Sequence, residues 1–268
     1  MLEALRVAGG GSLLDLHADP DHHRAVLTLA GAHVEAAARE VAATAVERID
    51  LRAHRGVHPR LGVVDVVPFV PLDERHAPAR AGGELGAAVA ARRRFAEWAG
   101  GELGLPCFFY GPERSLPEVR RLAFVEIRPD TGPDHAHPTA GACAVGARPA
   151  LVAYNLWLDT SDVSSAKTVA AAVRGPALRA LGLTVGGSTQ VSCNLLDPFT
   201  LGPADAYDAV ARSARELGAR VVRAELVGLA PRAVVEAVPP ERRAVLDLSV
   251  ERTLEARLEA QAPGGGAG

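Results

Sequence analysis

The chain has 268 residues, enough for one large domain or two smaller ones. Hydrophobic residues make up 48% and charged residues 23%, which suits a globular core and is not typical of a disordered chain. The net charge of −3 gives no basic field for nucleic acid, so we expect no nucleic-acid partner.

The cysteine count and the apolar runs indicate an intracellular protein. Cys107, Cys143 and Cys193 are odd in number and widely spaced, so a disulfide framework is not expected. Their apolar surroundings indicate buried side chains, not nucleophiles. The first residues do not resemble a signal peptide, and no apolar run approaches the ~20 residues that cross a bilayer. We therefore expect a cytoplasmic protein with no membrane partner.

Hydrophobic periodicity predicts alternating elements over the first 148 residues. Strands are predicted at 12–17, 24–30, 63–70, 105–111 and 123–127, and helices at 32–49, 84–103 and 116–122. Residues 128–149 begin with too much Gly and Pro for regular structure. A long loop of this kind in a compact domain is typically functional or disordered.

The remaining residues repeat a similar alternation. Strands are predicted at 150–158, 189–196 and 219–229, and helices over VSSAKTVAAAVRGPAL from Val163 and at 205–218, 231–238 and 241–261. Asp162 or Ser164 is available as the N-cap of the first of these helices. The order in each half resembles a split βαβ unit. We therefore predict an α+β protein with subdomains at 1–148 and 149–260 and a disordered tail at 261–268.

The segment from His54 to Asp65 carries the most chemical information. Its glycines and proline indicate a turn between a helix and a strand, and such loops often present active-site residues. His58 is suited to exchange a proton near neutral pH, and Arg60 is suited to hold a carboxylate through two hydrogen bonds. On composition alone, a solvated turn is an equally good interpretation.

Other site classes have less support. Of the nine histidines, those at 17, 22, 23, 58, 135 and 137 are candidate metal ligands, but there is no HExxH motif and no close cysteine pair, so we expect no metal. No GxGxxG, GxxxxGK[ST] or GxSxG motif occurs. The loop Gly132–Gly141 is bounded by glycines, so it is either a ligand loop or a mobile connection.

Five ordered segments resemble the glutamate formimidoyltransferase family. They are LLDLHADPDHHRAVLTLAG, HRGVHPRLGVVDVVPFVPL, TAGACAVGARPALVAYNLWL, QVSCNLLD and AELVGLAPRAVVEA. They span the chain from about residue 13 to 237. The resemblance implies two ferredoxin-like subdomains with a ligand cleft between their sheets. It also implies a dimer that acts in histidine degradation.

The same resemblance implies a reaction and its residues. The formimino group of N-formimino-L-glutamate is transferred to N5 of tetrahydrofolate, a co-substrate, and no metal is involved. The catalytic histidine corresponds to His58. The folate-contacting loop corresponds to Gly132, Pro133, Asp134, His135, Ala136, His137, Pro138, Thr139, Ala140 and Gly141. Polar groups that orient the imidazole or bind substrate are expected at Asp15, His17, Asp19, Arg24 and Arg60.

The chain departs from the family pattern in several places. The strand resembling VPNFSEG that usually precedes LLD is absent, and TGP stands at 131–133 where FGP is usual. The segment 174–180 is short, and no cyclodeaminase domain follows residue 260. Two alternatives stay open: a related enzyme that acts on 5-formyltetrahydrofolate, and a folate-binding module without turnover.

Overall fold

The computed structural model of the chain describes residues 1–56 and 60–261, and helices and strands are mixed within them. The strands are β1 (Leu13–Asp19), β2 (Arg24–Leu29), β3 (Val66–Phe69), β4 (Cys107–Tyr110), β5 (Cys143–Ala147), β6 (Val152–Leu158), β7 (Leu178–Val185), β8 (Ser188–Leu195) and β9 (Val221–Val227). The helices are α1 (Leu2–Gly9), α2 (Val34–Arg48), α3 (Gly86–Glu102), α4 (Leu116–Leu122), α5 (Val163–Val173), α6 (Pro203–Glu216), α7 (Arg232–Glu236), α8 (Pro240–Arg243) and α9 (Leu254–Gln261). The predicted α+β class is confirmed.

Contacts divide the chain into two compact units. The first unit comprises Met1–Leu13, Leu29–Pro71 and Gly83–Arg148, and the second comprises Leu14–Thr28, Leu72–Gly82 and Pro149–Gly268. One junction coincides with the predicted boundary after Arg148. Two earlier segments, the β1–β2 hairpin and residues 72–82, group with the second unit. The assignment of the units as formiminotransferase subdomains stays a prediction.

The first unit contains a three-stranded parallel sheet of order β3-β5-β4. Strand β5 lies between β3 and β4, so β3, α3 and β4 form a split βαβ element. The helix α3 presents Phe95, Ala96 and Ala99, all fully buried, to this sheet. Small residues on one helix face allow this close approach of helix and strands.

The second unit contains a four-stranded antiparallel sheet of order β7-β8-β6-β9. The chain order β6-α5-β7-β8-α6-β9 with this strand order is a ferredoxin-like arrangement. Alternate residues of β6, among them Tyr154 and Leu156, are buried in the core that α5 and α6 complete. Because side chains alternate along a strand, Asn155 and Trp157 lie on the opposite face.

The helix predicted to run through residue 178 ends at Val173, and the strand β7 that follows was not predicted. The predicted N-cap is confirmed, since the Asp162 side chain accepts hydrogen bonds from the backbone N–H groups of Ser164 and Ser165. Gly182 interrupts the run of strand-forming residues in β7, which weakens the strand signal in the sequence. A Cβ at this position would lie 2.3 Å from the backbone nitrogen of Lys167, so only glycine permits the packing of β7 on α5.

The predicted strand at 123–127 is wrong, because these residues form a turn with a single bridge between Ala123 and Ile127. Phe124 has a φ of 61° in the turn, and its ring packs edge-on against Phe108 at 5.0 Å. Tertiary packing therefore overrides the local strand propensity.

The two ends of the chain also differ from the prediction. The helix α1 was not predicted. Gln261 belongs to α9 and not to a disordered tail, and residues 262–268 lie outside the described residues. Within the described ranges, no helix is both long and apolar enough to span a membrane.

Two neighbouring glycines of α3 allow a matched test of packing. A Cβ on Gly100 would lie 2.6 Å from the backbone nitrogen of Gly132, whereas a Cβ on Gly101 would meet nothing within 4 Å. We expect Gly100→Ala to lower the free energy of unfolding by about 1–3 kcal/mol, because backbone must move. Gly101→Ala should raise it by up to about 1 kcal/mol. Urea unfolding followed by circular dichroism measures both, and equal effects would contradict this packing.

Candidate functional site

Two loops that the sequence singled out lie side by side in the first unit. The N–H of Leu51 donates to the carbonyl of Thr139 at 2.7 Å, and the N–H of Val63 donates to the carbonyl of Ala140 at 2.9 Å. The segments before and after 54–60 are therefore both hydrogen-bonded to the predicted folate loop. His58 itself, with Val57 and Pro59, lies outside the described residues.

A close approach of two glycines joins these loops. Gly62 and Gly141 form an isolated antiparallel bridge, and Gly141 has a φ of 72°. A Cβ on Gly62 would lie 2.2 Å from the carbonyl oxygen of Ala142, and a Cβ on Gly141 would lie 2.5 Å from that of Leu61. Side chains at either position would push the loops apart, so glycine is required at both.

Asp65 fixes the chain that leaves the His54–Arg60 loop. Its Oδ1 accepts a hydrogen bond from the N–H of Leu61 at 2.5 Å, and its Oδ2 accepts one from Arg120 of α4 at 2.5 Å. Arg60 is half-buried nearby. Burial lowers the pKa of Arg60 and the charge of Arg120 adds to this, while the charge of Asp65 opposes it. A guanidinium stays charged despite such a shift, so Arg60 can serve as an anion ligand.

Hydrogen bonds within residues 137–141 fix the end of the predicted folate loop. His137 and Gly141 exchange two backbone hydrogen bonds of 2.8 and 3.0 Å. The Nδ1 atom of His137 accepts hydrogen bonds from the backbone N–H groups of Ala140 at 3.0 Å and Thr139 at 3.3 Å. Because Nδ1 is an acceptor, this geometry assigns the ring proton to Nε2.

The start of this loop is tied to α3, and its centre faces solvent. The Thr131 hydroxyl donates to the carbonyl of Ala96 at 2.7 Å, immediately before Gly132. The exposed members are Gly132, Asp134, His135, Ala136 and Pro138, the half-buried ones are Pro133, His137 and Thr139, and the buried ones are Ala140 and Gly141. The exposed backbone between two anchored ends is available to a ligand.

The other predicted polar residues lie in the second unit, on the β1–β2 hairpin. Asp15, His17 and Asp19 alternate along β1 and therefore share one face. The Asp19 side chain accepts hydrogen bonds from His22, at 2.8 Å from its backbone N–H and 2.6 Å from its ring. Burial raises the pKa of Asp19, but the hydrogen bonds and charge of His22 outweigh it, and the net pKa is lowered. The pair thus fixes the hairpin turn with Asp19 ionised.

The hairpin meets the face of the β6–β9 sheet that is opposite to the core. The Nε2 atom of His17 lies 3.7 Å from Oε1 of Glu225 in β9, and the amide of Asn155 in β6 donates to Oε2 of Glu225 at 3.1 Å. Asp19, Arg24 and Asn155 also line one concavity of about 200 Å³, no part of which is wide enough for a water molecule. The hairpin therefore packs closely on the sheet.

The predicted residues thus form two groups, one in each unit. Arg60 and the loop 132–141 belong to the first unit, and Asp15, His17, Asp19 and Arg24 belong to the second. Sequence reasoning gave Asp65 no role and missed Arg120, Asn155 and Glu225. Asn155 carries a recognisable signal, since it lies among the largely apolar residues of β6. The Asp65–Arg120 pair spans 55 positions and gives no local signal.

The cysteines are buried, as the sequence predicts. Burial raises the pKa of Cys193 to about 12, so its thiol stays protonated and is not a nucleophile. Among the residues that the structure describes, no group of three His, Cys, Asp or Glu side chains is placed to hold a metal ion.

Comparison with known proteins identifies the family. The profile of the formiminotransferase domain, N-terminal subdomain, matches residues 1–148, more than half of the chain. The chain belongs to the formiminotransferase family. It is accordingly an enzyme of the transferase class.

Relatives from distant organisms match most of the chain. Glutamate formimidoyltransferase of Streptococcus pyogenes is 33% identical over 83% of this chain and 80% of its own length. The Thermoplasma acidophilum protein of the same name is 33% identical over 82% and 78%. Formimidoyltransferase-cyclodeaminase of Rattus norvegicus is 32% identical over 85% of this chain but only 46% of its own length. The matched region is therefore less than half of the Rattus norvegicus protein.

The Asp65–Arg120 pair gives a matched mutational test. Arg120→Ala should release Asp65 from its second partner, lower the free energy of unfolding by about 1 kcal/mol, and speed hydrogen exchange at the N–H of Leu61. The exposed neighbour Arg121 is the control, and Arg121→Ala should leave exchange unchanged. Exchange measured by mass spectrometry on peptides that cover 60–66 decides between them. Equal exchange in both variants would show that Arg120 does not support this loop.

Proposed function

We propose that this enzyme transfers the formimino group from N-formimino-L-glutamate to N5 of tetrahydrofolate and that His58 acts as general base and then general acid. The observation that supports this most directly is the pairing of the two loops in the first unit. Residues on both sides of the His58 loop are hydrogen-bonded to the predicted folate loop, at Leu51–Thr139 and Val63–Ala140. The name glutamate formimidoyltransferase, which the Streptococcus pyogenes and Thermoplasma acidophilum relatives share, supports the same reaction.

The reaction needs two proton transfers that one imidazole can perform in turn. The amine at N5 attacks the formimino carbon, and a base removes the N5 proton. The bond from that carbon to the glutamate nitrogen then breaks, and an acid protonates the departing nitrogen. The products are 5-formiminotetrahydrofolate and glutamate. An imidazole with a reference pKa of ~6.5 can accept and return this proton near neutral pH.

The remaining residues of the first unit would bind and orient the folate. The exposed backbone of 132–136 offers peptide groups to a flat ring system. Arg60 offers a charged donor to a carboxylate. Arg120 and Asp65 act through Leu61 to hold the loop, so they are positioning residues. The assignment of the loop to folate rests on family resemblance.

The hairpin of the second unit would supply the polar groups that hold the formimino donor. The carboxylate of Glu225 positions His17. The amide of Asn155 donates a hydrogen bond to the same carboxylate and so positions Glu225. Asp19 is held as a carboxylate by His22, and an anionic oxygen suits an amidinium group. We also propose that the protein is a cytoplasmic homodimer, as the family resemblance implies.

Removal of the imidazole tests the mechanism. We expect His58→Ala to lower turnover by about 10²–10⁴-fold, the usual contribution of positioned proton transfer. Tetrahydrofolate should still raise the melting temperature, because the folate loop is intact. His33→Ala is the control, since His33 is exposed at the start of α2 and forms no side-chain cap hydrogen bond. An unchanged rate in His58→Ala would remove His58 from the mechanism.

Turnover and melting temperature of the wild-type chain, measured with each substrate, distinguish the proposed reaction from its alternatives. Turnover with N-formimino-L-glutamate supports the proposal. Turnover only with 5-formyltetrahydrofolate indicates the related folate enzyme. A rise in melting temperature with tetrahydrofolate, but no product from either donor, indicates a folate-binding module without activity.

A further inference from the structure

A concavity of about 490 Å³ lies in the second unit, and none of the residues predicted for the candidate site lines it. One side of α6 forms part of its lining, with Tyr207, Ala211 and Arg215 at four-residue spacing and Arg212 beside them. The chain that enters β9 completes the lining. The concavity is therefore built from residues of a single unit.

Three guanidinium groups line this concavity. Arg212 and Arg215 have no hydrogen-bond or ion-pair partner for their side chains among the residues that the structure describes. Arg220 pairs with Asp159, whose Oδ2 accepts a hydrogen bond from its Nε at 3.0 Å. The three arginines and Asp159 together leave two positive charges uncompensated, on a chain whose formal net charge is −3.

The carboxylate of Asp208, which also lines the concavity, does not offset these charges. Its two oxygens accept hydrogen bonds from the guanidinium of Arg242 at 2.7 and 3.1 Å. Like charges three residues apart on a helix, as at Arg212 and Arg215, destabilise the helix slightly. The helix dipole favours Arg215 in the last turn of α6, but it does not account for Arg220, which lies outside the helix. A bound anion accounts for all three arginines.

The lining favours linked phosphates over other anions. A guanidinium binds a phosphate through two parallel hydrogen bonds, and a phosphate monoester carries about two negative charges at neutral pH, against one for a carboxylate. The volume lies within the range of small-molecule sites, about 300–1,000 Å³, and is larger than a single phosphate requires. Tyr207 adds a hydroxyl that has no partner among the described residues and can donate to an anion.

We propose that this concavity binds an oligophosphate, that is, two or more linked phosphates such as those of a nucleoside diphosphate or triphosphate. Arg212 and Arg215 bind the phosphate oxygens, Arg220 adds a third positive charge, and the hydroxyl of Tyr207 donates to a further oxygen. This inference does not depend on the proposed function. The helix α6 packs on the face of the sheet that contains Tyr154, whereas the polar residues proposed to hold the formimino donor lie on the other side of that sheet.

Calorimetry on the full chain with inorganic pyrophosphate tests the proposal. We expect the wild-type chain to bind pyrophosphate, and we expect Arg212→Gln and Arg215→Gln each to raise the dissociation constant about tenfold, because each removes a charge-assisted pair of hydrogen bonds. Added salt should also weaken the binding, because it screens exposed charges. Arg257→Gln is the control and should leave the constant unchanged, since Arg257 is an exposed residue of α9 that does not line the concavity.

Melting temperatures separate anion binding from a role at the helix end. Arg212 and Arg215 are exposed, so both glutamine variants should fold and melt as the wild-type chain does. Lower melting temperatures with an unchanged affinity for pyrophosphate would show that these arginines support the helix, and would overturn the proposal. A wild-type chain that does not bind pyrophosphate overturns it as well. Arg212→Lys keeps the charge without the planar fork, so its affinity should be intermediate.

Further ligands test the chemical class and identify the source of the phosphates. Citrate carries its charges on carboxylates, and citrate binding as tight as that of pyrophosphate would contradict the assignment to phosphates. Adenosine diphosphate that binds more tightly than pyrophosphate indicates a nucleotide, and equal affinities indicate that the phosphate chain alone is recognised. Adenosine should not bind, and an adenosine affinity equal to that of adenosine diphosphate would contradict the role of the arginines.

Discussion

The contact between the backbones of Gly62 and Gly141 is the constraint on which the first unit's site depends. A Cβ at either position would lie within about 2.5 Å of a backbone carbonyl oxygen in the opposite segment. Because neither glycine has one, the segment after the His58 loop hydrogen-bonds directly to the predicted folate loop. Segments that are about 80 positions apart in sequence thereby lie side by side, and Asp65 is hydrogen-bonded to both Leu61 and Arg120.

The predicted site loops lie at the less usual end of the sheet for a ligand. Ligands of parallel α/β sheets typically bind at the carboxyl ends of the strands, but 54–65 and 128–142 precede β3 and β5. The carboxyl end is occupied instead. Arg92, almost fully buried, forms two hydrogen bonds with Glu113, donates to the carbonyl of Tyr110, and stacks 4.3 Å from Phe109. A buried guanidinium with these partners fills the carboxyl end of β4, whereas the two predicted site loops precede β3 and β5.

Local patterns predicted most elements and failed where distant packing decides conformation. The apolar periodicity of α3, α6 and β6 was sufficient because each buries one regular face. Gly182 weakened the strand signal of β7 for a reason that only α5 reveals, and Phe124 adopts a positive φ because its ring packs on Phe108. The candidate site shows the same division. Family resemblance predicted the loops, whereas the partners Asp65, Arg120 and Glu225 depend on the folded sheet.

Buried polar residues on the sheet of the second unit differ in whether the fold itself supplies their hydrogen bonds. Asn155 is buried but donates to Glu225, so it needs no ligand and its role is to place its neighbour. Gln190 occupies the next row with the same burial and no such partner among the described residues. A fold gains nothing from a buried amide without partners, because an apolar side chain of the same shape would be tolerated at least as well. Burial alone therefore does not define the role of a polar residue, which depends on the partners that the fold supplies.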